Sequence, residues 1–384
     1  MSAHGDRTLK HTNQERGPGM KPAATQKRRP HRILRAAAFA ALTVVLCMGL
    51  NFLLVDDVHA YTRVMLQELY AQSGQIDTLF LGSSHCYRSF DPAAVDEQLG
   101  THSFNAGSSQ QLPDGSYYLL RQALDRNELK TVYLETFFTG YNQTDSSNVP
   151  LACYLLTDYM DPLSPERYEY LWEMGGPAAF VDLVFPARHI IASPEDLPEL
   201  WIAKLTDAYA PGNYSYVTYP GQEEYRGNGF VYTYGTPPYG FDPVMALDAD
   251  APLSDFGWAN LRRITELCRQ AGVELVLVTV PLPNAFADRT ENYQAYVDAM
   301  RGYAEENGLQ YWDFTLFRDT SLLDLGFDDF SDAHHLNGQG AEKFTAAFCQ
   351  VVRAAEAGKD PGEYFFDSLD EKLQAAPDGT FGMD

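Results

Sequence analysis

The sequence predicts a three-layer αβα domain, built on a doubly wound parallel sheet and preceded by one transmembrane helix. Short, almost wholly apolar segments recur along the chain, and amphipathic segments with helical spacing separate them. Strands that are buried on both faces have this apolar composition, and their alternation with helices is typical of a parallel sheet. A run of twenty uncharged residues near the N-terminus predicts the membrane helix.

This apolar run covers residues 36–55. At about 1.5 Å per residue, its length matches a hydrocarbon core of about 30 Å. Five basic residues lie between Lys27 and Arg35, and Asp56 and Asp57 follow the run, so the positive-inside rule places the N-terminus in the cytoplasm and the remaining chain outside. A cleaved signal peptide is the alternative. We favour an uncleaved signal anchor in the cell membrane, because the run exceeds the usual signal-peptide core of roughly 7–15 residues.

The charges divide the chain into a basic head and an acidic body. Residues 1–35 hold nine of the 28 basic residues and two of the 52 acidic ones, although the net charge of the whole chain is −24. The composition of this head predicts a disordered cytoplasmic tail. The acidic body would repel phosphate groups, so we exclude a nucleic-acid partner.

The elements of the exported domain, residues 56–355, follow from the same patterns. A helix over residues 59–72 leads into a first strand over residues 76–81, which ends at Gly82. The other predicted strands cover residues 103–105, 131–134, 273–280 and 311–314. The other predicted helices cover residues 92–99, 113–126, 254–270, 290–306 and 338–355. In such a sheet, the active site is expected at the carboxyl ends of the strands.

The alternation fails over residues 139–250, which are rich in Tyr, Pro and Gly. We predict a large irregular insertion there that shapes a binding surface. Exposed aromatic rings could stack on sugars, but a loop-rich core uses the same residues, and we favour packing. Residues 356–384 are predicted to form an acidic peripheral tail. The long spacings of the five cysteines leave one disulfide open without assigning it.

Two short motifs carry residues suited to nucleophilic catalysis. Gly-Ser-Ser-His at residues 82–85 follows the first strand, where a glycine permits the sharp turn that exposes a following serine. Asp-Ala-His-His-Leu-Asn at residues 332–337 precedes the last helix, for which Asn337 is the expected N-cap. Asp332 could hold the His335 imidazole and fix its tautomer, and His335 could then take the proton of a serine.

Both motifs resemble blocks of the SGNH (GDSL-like) hydrolase superfamily. Leu-Gly-Ser-Ser-His at residues 81–85 resembles the first block, with Ser in place of the Asp of Gly-Asp-Ser. Asp332-x-x-His335 resembles the last block. The resemblance implies an SGNH-like fold in which Ser84 is the nucleophile and Asp332 and His335 complete the triad.

Two further segments resemble the blocks that form the oxyanion hole. Residues 104–110 resemble the second block, with Gln110 in the place of its final glycine, and Gly140-x-Asn142 resembles the third. The resemblance implies an oxyanion hole formed by Ser84, Gln110 and Asn142.

One branch of the superfamily is the most similar. The Ser-for-Asp block, the anchor and Leu134-Glu135 at a strand end resemble anchored extracytoplasmic proteins that work beside membrane-bound O-acyltransferases, in alginate acetylation or teichoic-acid D-alanylation. This resemblance implies acyl transfer, with acetyl as the expected group, to or from a cell-envelope polysaccharide or polymer through an acyl-serine intermediate. The alternatives are a carbohydrate esterase on the exported side and a non-catalytic module that binds the polymer or docks on the acyltransferase.

Three neighbours of Ser84 have competing interpretations. For His85 we prefer a structural or substrate-contact role to that of an alternative base. Arg88 could contact an anionic substrate, although an ion pair with a nearby carboxylate is the simpler expectation. Cys86 is a rival nucleophile, but a packed thiol is favoured because it lies two residues beyond the expected position.

A metal cluster of Asp329, Asp332, His334 and His335 is also conceivable. On a regular backbone, His334 and His335 would point apart and leave too few converging ligands. We therefore expect no metal and no cofactor.

Overall fold

The computed structural model describes residues 30–184, 191–235 and 246–375. The helices are α1 Pro30–Leu54, α2 Tyr61–Ala71, α3 Ser84–Ser89, α4 Pro92–Leu99, α5 Pro113–Arg126, α6 Phe138–Tyr141, α7 Pro150–Thr157, α8 Pro165–Val184, α9 Leu197–Leu205, α10 Asp255–Ala271, α11 Asn284–Arg289, α12 Tyr293–Asn307, α13 Gly338–Glu356 and α14 Leu369–Ala375. The strands are β1 Thr78–Leu81, β2 Ser103–Asn105, β3 Thr131–Glu135, β4 Glu223–Gly227, β5 Phe230–Thr233, β6 Glu274–Thr279 and β7 Gln310–Asp313.

Five strands form one parallel sheet in the order β2-β1-β3-β6-β7. Its strands correspond to the five predicted from the apolar segments. In the register, Leu79 pairs with Val132, and Val132 pairs with Leu275. Helices cover both faces of the sheet, so the predicted αβα class is confirmed.

Alternate side chains of each strand face opposite layers. Leu79 and Val132 belong to a core that also contains buried residues of α2, α5, α10 and α12. Phe80 and Tyr133 belong to a second core with buried residues of α13. Because both faces are covered by apolar helix surfaces, the strands are apolar except at their end residues.

The strand order reverses between β1 and β3. The chain leaves β1 for β2 on one side, and then returns across β1 to form β3 on the other. A crevice opens at the carboxyl ends of strands at such a switch point, and ligands of open α/β sheets bind there. A functional site is therefore expected among the residues that follow β1 and β3.

The predicted insertion contains more regular structure than its sequence indicated. The predicted insertion, residues 139–250, contains helices α7 to α9 and the antiparallel hairpin β4–β5. Helix α6 overlaps its first residues. The hairpin packs so tightly on the domain that a Cβ on Gly229 would lie 1.7 Å from the Asn105 carbonyl oxygen. Tyr225, Phe230 and Tyr232 are buried, as expected for packing, whereas Tyr219 and Tyr234 are exposed.

The described residues include one helix, His31–Leu54, that is long and apolar enough to cross a membrane. Its 24 residues fit a membrane anchor or a signal sequence. The chain divides into two compact units between Met48 and Gly49. Most of the predicted basic tail lies outside the described residues.

The C-terminal segment packs on the domain up to residue 375, although we expected a peripheral tail. The Phe366 N–H donates to the Leu316 carbonyl oxygen at 2.9 Å, and buried Lys372 donates through Nζ to the Thr315 carbonyl oxygen at 2.6 Å. The remaining residues of the predicted tail, 376–384, lie outside the described residues.

Candidate active site

The turn from β1 into α3 presents Ser84 at the carboxyl edge of the sheet. Ser83 is the N-cap of α3, and its hydroxyl accepts a hydrogen bond from the His85 N–H at 3.3 Å. Gly82 has φ +154°, and a Cβ there would lie 2.5 Å from the Cβ of Glu135. The turn thus requires a glycine, both for its backbone conformation and for the close approach of β3.

Ser84, His335 and Asp332 lie in hydrogen-bonding sequence. The Ser84 Oγ is 2.7 Å from the His335 Nε2, and the His335 Nδ1 is 2.8 Å from the Asp332 Oδ2. If the proton of neutral His335 is on Nδ1, Nδ1–H donates to Asp332, and Nε2 is free to accept from Ser84. A base positioned and oriented in this way can activate a serine hydroxyl.

The Asp332 carboxylate also shapes the loop that carries the histidine. Its Oδ1 accepts from the N–H groups of His334 and His335 at 3.0 and 2.9 Å. Burial alone would raise the pKa of Asp332, but the hydrogen bond and charge of His335 and these two N–H groups outweigh it and hold that pKa well below its ordinary value. Asn337 caps α13 as expected, because its Oδ1 accepts from the Gly340 N–H at 3.0 Å.

His85 and His334 pack beside the catalytic candidate. The His85 ring lies with its centroid 3.7 Å from that of Phe137, 4.4 Å from that of His335 and 5.0 Å from that of His334. Burial lowers the pKa of His85, and the neighbouring His335 lowers it further. Burial and the same neighbour lower the pKa of His334 to about 4. Both rings are therefore neutral near pH 7, and neither adds a positive charge to the site.

The expectation that His334 and His335 point apart was wrong. Their ring centroids are 4.2 Å apart, because residues 331–334 form bends rather than a regular strand or helix. One ring nitrogen from each of these residues and from His85 lies within 4.8 Å of the other two, so these three residues could hold a metal ion. However, His335 already uses Nε2 for Ser84 and Nδ1 for Asp332, and its ring is stacked on that of His85. A metal ion there would displace the serine hydroxyl.

Asp329 belongs to a different cluster from the histidines. Its Oδ2 accepts from the Gly326 N–H at 2.8 Å and from Lys343 Nζ at 2.7 Å. It thus stabilises the turn before the loop that carries Asp332 and His335.

Arg88 makes ion pairs beside the triad. It pairs with Glu223 of the hairpin, and its Nη1 is 3.7 Å from the Asp332 Oδ2. The simpler expectation for Arg88, an ion pair with a nearby carboxylate, is confirmed. Because Arg88 also lines the cavity at Ser84, the geometry allows a substrate contact as well.

Cys86 is a packed thiol, as favoured from the sequence. It is fully buried, and its Sγ donates to the Asn105 Oδ1 at 3.2 Å. Burial raises the pKa of the Cys86 thiol well above its ordinary value, so the nucleophilic thiolate is disfavoured. All five cysteines of the chain lie within the described residues, and all are buried free thiols, so the disulfide left open by the sequence does not form.

Gln110 adopts the left-handed conformation that favours glycine, with φ +54°. It is exposed and lines the cavity at Ser84. Its segment is fixed to the turn that presents Ser84, since the Ser108 N–H donates to the Gly82 carbonyl oxygen at 3.2 Å. Gln110 therefore has a backbone conformation that glycine adopts more readily, and its N–H is a candidate oxyanion donor.

Asn142 has a different role from the one that the resemblance implied. Its side-chain amide donates to the carbonyl oxygens of Phe138 at 3.2 Å and Pro252 at 2.8 Å, and its backbone N–H donates to Phe138 at 3.1 Å. Since these bonds occupy its N–H groups, none remains for an oxyanion. Asn142 instead ties α6 to the segment before α10.

Glu135 is the site residue that sequence reasoning did not assign. It is buried at the end of β3, and its Oε2 accepts from the N–H and the hydroxyl of Ser83, each at 2.8 Å. Its Oε1 accepts from the Phe137 N–H. Burial raises the pKa of Glu135 to about 7, although these hydrogen bonds lower it in part. The available signal was a carboxylate directly after the predicted strand over residues 131–134.

Ser84 and His335 border a cavity of about 480 Å³. Its wall combines the polar groups of residues 83–85 with apolar side chains, among them Leu112, Phe137, Val149 and Phe286. A second cavity of about 320 Å³ is lined by Val55 and Asp56 and shares Tyr87 and Ser109 with the first. The two cavities are thus neighbours.

Comparisons with known proteins give structural neighbours, whereas no protein-family model and no curated protein matches the chain. A GDSL-like lipase from Bacteroides thetaiotaomicron matches over 78% of this chain and 100% of its own, with 11% identity and a TM-score of 0.35. A candidate acylhydrolase from Bacteroides fragilis matches over 76% of this chain and 94% of its own, with 10% identity and a TM-score of 0.34. At these values neither function transfers to this chain, which must be judged by its site.

Proposed function

We propose that this protein is a membrane-anchored, serine-dependent acyltransferase that acts on a cell-envelope polysaccharide or polymer. The observation that carries the proposal is the Ser84–His335–Asp332 arrangement, with its distances of 2.7 and 2.8 Å, at the switch point of a parallel sheet. This is the geometry of an activated serine nucleophile.

In the first half-reaction, the Ser84 Oγ attacks the carbonyl carbon of an acyl ester while its proton passes to the His335 Nε2. The backbone N–H groups of Ser84 and Gln110 stabilise the negative oxygen of the tetrahedral intermediate. The C–O bond to the leaving alcohol breaks, and His335 returns the proton to that alcohol. Acyl-Ser84 remains.

In the second half-reaction, His335 takes the proton of an acceptor hydroxyl, whose oxygen attacks the acyl carbon. Ser84 leaves and regains its proton from His335, which restores the starting state. A sugar hydroxyl as acceptor gives transfer, and water gives hydrolysis. The apolar wall at Leu112, Phe137 and Phe286 suits a short acyl group such as acetyl.

The anchor and the second cavity support a substrate held near the membrane. Val55, at the end of the apolar run, lines the cavity next to the catalytic one. A membrane-bound O-acyltransferase that supplies the acyl group is part of the proposal, on the strength of the resemblance in the sequence motifs.

The test compares the full chain in detergent with its Ser84→Ala variant, using a chromogenic acetyl ester with and without a soluble oligosaccharide acceptor. We expect acceptor-dependent release of the chromophore, an acetylated oligosaccharide and a Ser84 peptide heavier by one acetyl group. Ser321→Ala, in an exposed turn, is the matched serine control.

The outcomes separate the alternatives. If the rate of ester cleavage does not depend on the acceptor, the protein is an esterase. Full activity in a folded Ser84→Ala protein would refute the triad, and a role in binding or docking would replace it.

A further inference from the structure

We propose that α9 lies in the membrane–water interface, where Trp201, Ile202 and Leu205 contact the lipid of the bilayer that holds α1. The inference rests on the anchor in the proposed function, and it adds a second membrane contact within the exported domain.

Helix α9 is fixed to the last turn of α1. The Trp201 Nε1 donates to the Leu53 carbonyl oxygen at 2.7 Å, and Lys204 Nζ donates to the carbonyl oxygens of Phe52 and Val55 at 2.8 and 2.6 Å. Carbonyl groups in the last turn of a helix have no partner within the helix, so the donors of α9 satisfy carbonyl oxygens at the end of α1.

The cation of Lys204 is enclosed in this contact. Its side chain is 1% exposed, and Nζ is 2.8 Å from the Asp57 Oδ1. If Lys204 were separated from Asp57 and the carbonyl oxygens, a buried charge would be left without a partner, which is strongly unfavourable. The contact between α9 and the end of α1 is therefore held firmly. Since the uncharged run ends at Val55, this contact holds α9 at the level where the hydrocarbon core would end.

The two faces of α9 are both apolar. One face buries Leu200 and Ala203 against Val58 and Ala208. The opposite side leaves Trp201, Ile202 and Leu205 exposed by 37, 64 and 75%.

These exposed positions, at i, i+1 and i+4, form one stripe of the helix. Glu199 is the one exposed charged residue of α9. An interfacial helix has such an apolar stripe, and Trp is enriched at the boundary of the bilayer.

Lipid is the occupant that the contacts favour, because α9 is held against the residues where the membrane span ends. The consequence is a fixed orientation of the exported domain relative to the bilayer. A tether at α1 alone would allow the domain to rotate, whereas contact at both helices would keep the catalytic cavity at a constant height above the bilayer.

The experiment measures the depth of a nitroxide label on the full chain in vesicles of phosphatidylethanolamine and phosphatidylglycerol. Ile202→Cys and Leu205→Cys carry the label, and the five buried native thiols should leave these sites as the reactive ones. Glu128→Cys is the control, because this exposed residue precedes β3 at the amino edge of the sheet, opposite to the catalytic edge. Collision rates are recorded with oxygen, which concentrates in lipid, and with a water-soluble nickel chelate.

We expect the ratio of oxygen to nickel collisions to be several-fold higher at Ile202 and Leu205 than at Glu128. Equal ratios would overturn the inference, and so would protection from both reagents, which would indicate a protein cover. Extraction of the chain by alkaline carbonate would refute the anchor and the inference together. The measurement does not need catalysis, so its failure is distinct from a failure of the Ser84 chemistry.

Discussion

Glu135 accepts hydrogen bonds from both the backbone N–H and the hydroxyl of Ser83, the residue before the candidate nucleophile. The two residues join the ends of β3 and β1 across the switch point of the sheet. The carboxyl group thus holds the turn that presents Ser84, although it does not contact Ser84 in the hydrogen-bond network described above. We regard Glu135 as a positioning residue.

The titration of Glu135 should make stability depend on pH. Its pKa is about 7 in the folded state against an ordinary value of 4.5. Between these values the folded state binds more protons than the unfolded state, so the free energy of unfolding falls as the pH rises. The stability that protonated Glu135 contributes is fully present below pH 4.5 and is lost as the pH rises to about 7. The Glu135→Gln variant lacks this titration. We expect the unfolding free energy of the wild type, minus that of the variant, to fall by on the order of 3 kcal/mol across this range.

Urea unfolding of both proteins at a series of pH values measures this difference. A constant offset between the two proteins is compatible with loss of the Phe137 N–H bond, since an amide cannot replace both carboxylate oxygens as acceptors. Parallel stability curves from pH 4 to 8 would contradict the prediction.

Replacement of Asp332 by Asn should reduce kcat by roughly 10⁴-fold while KM changes little. The amide removes the charge that stabilises protonated His335, and its NH₂ group can select the wrong tautomer. Steady-state kinetics on the acetyl ester measure the effect. Asp328→Asn, at an exposed position in the preceding turn, is the matched control. A loss below tenfold in a folded Asp332→Asn protein would argue against this orientation of the base.

Replacement of Gln110 by Gly should raise stability by up to about 1 kcal/mol, because glycine adopts the left-handed conformation without the steric cost of a Cβ. Activity should stay within a few-fold if the backbone N–H is the oxyanion donor. Gln110→Ala separates the two possible donors, since it keeps the backbone N–H and the Cβ but removes the side-chain amide. A loss of 10²-fold or more in both variants would assign the donor to the side chain.

Replacement of Gly82 by Ala should lower the unfolding free energy by about 1–3 kcal/mol and also reduce kcat. The new Cβ would lie 2.5 Å from the Glu135 Cβ and 2.6 Å from its Oε2, so β3 or the turn must move. Gly302→Ala in α12 is the control, because a Cβ there meets no atom within 4 Å, and the change should stabilise the helix by up to about 1 kcal/mol. Equal stabilities of wild type and Gly82→Ala would contradict the tight packing of this turn.

The local patterns of the chain were sufficient for the five sheet strands and the principal helices, because apolar runs and helical spacing record which faces are buried. They were also sufficient to nominate Ser84, His335 and Asp332, since the turn glycine and the Asp-x-x-His spacing are local features. The insertion was harder to predict. Its helices and hairpin are held by contacts with distant segments, such as Gly229 against Asn105, rather than by a pattern of their own.

The sequence by itself determined the class of fold, the apolar N-terminal helix and the types of residue available for chemistry. The tertiary structure alone decided which of them meet. It placed Ser84 and His335, which are 251 positions apart in the chain, at 2.7 Å and stacked His85 on His335. It also gave Asn142 other hydrogen-bond partners and brought Glu135 into hydrogen-bonding contact with Ser83. The physical reason is that hydrogen bonds and burial depend on distances in space, which spacing along the chain constrains only within one element or turn.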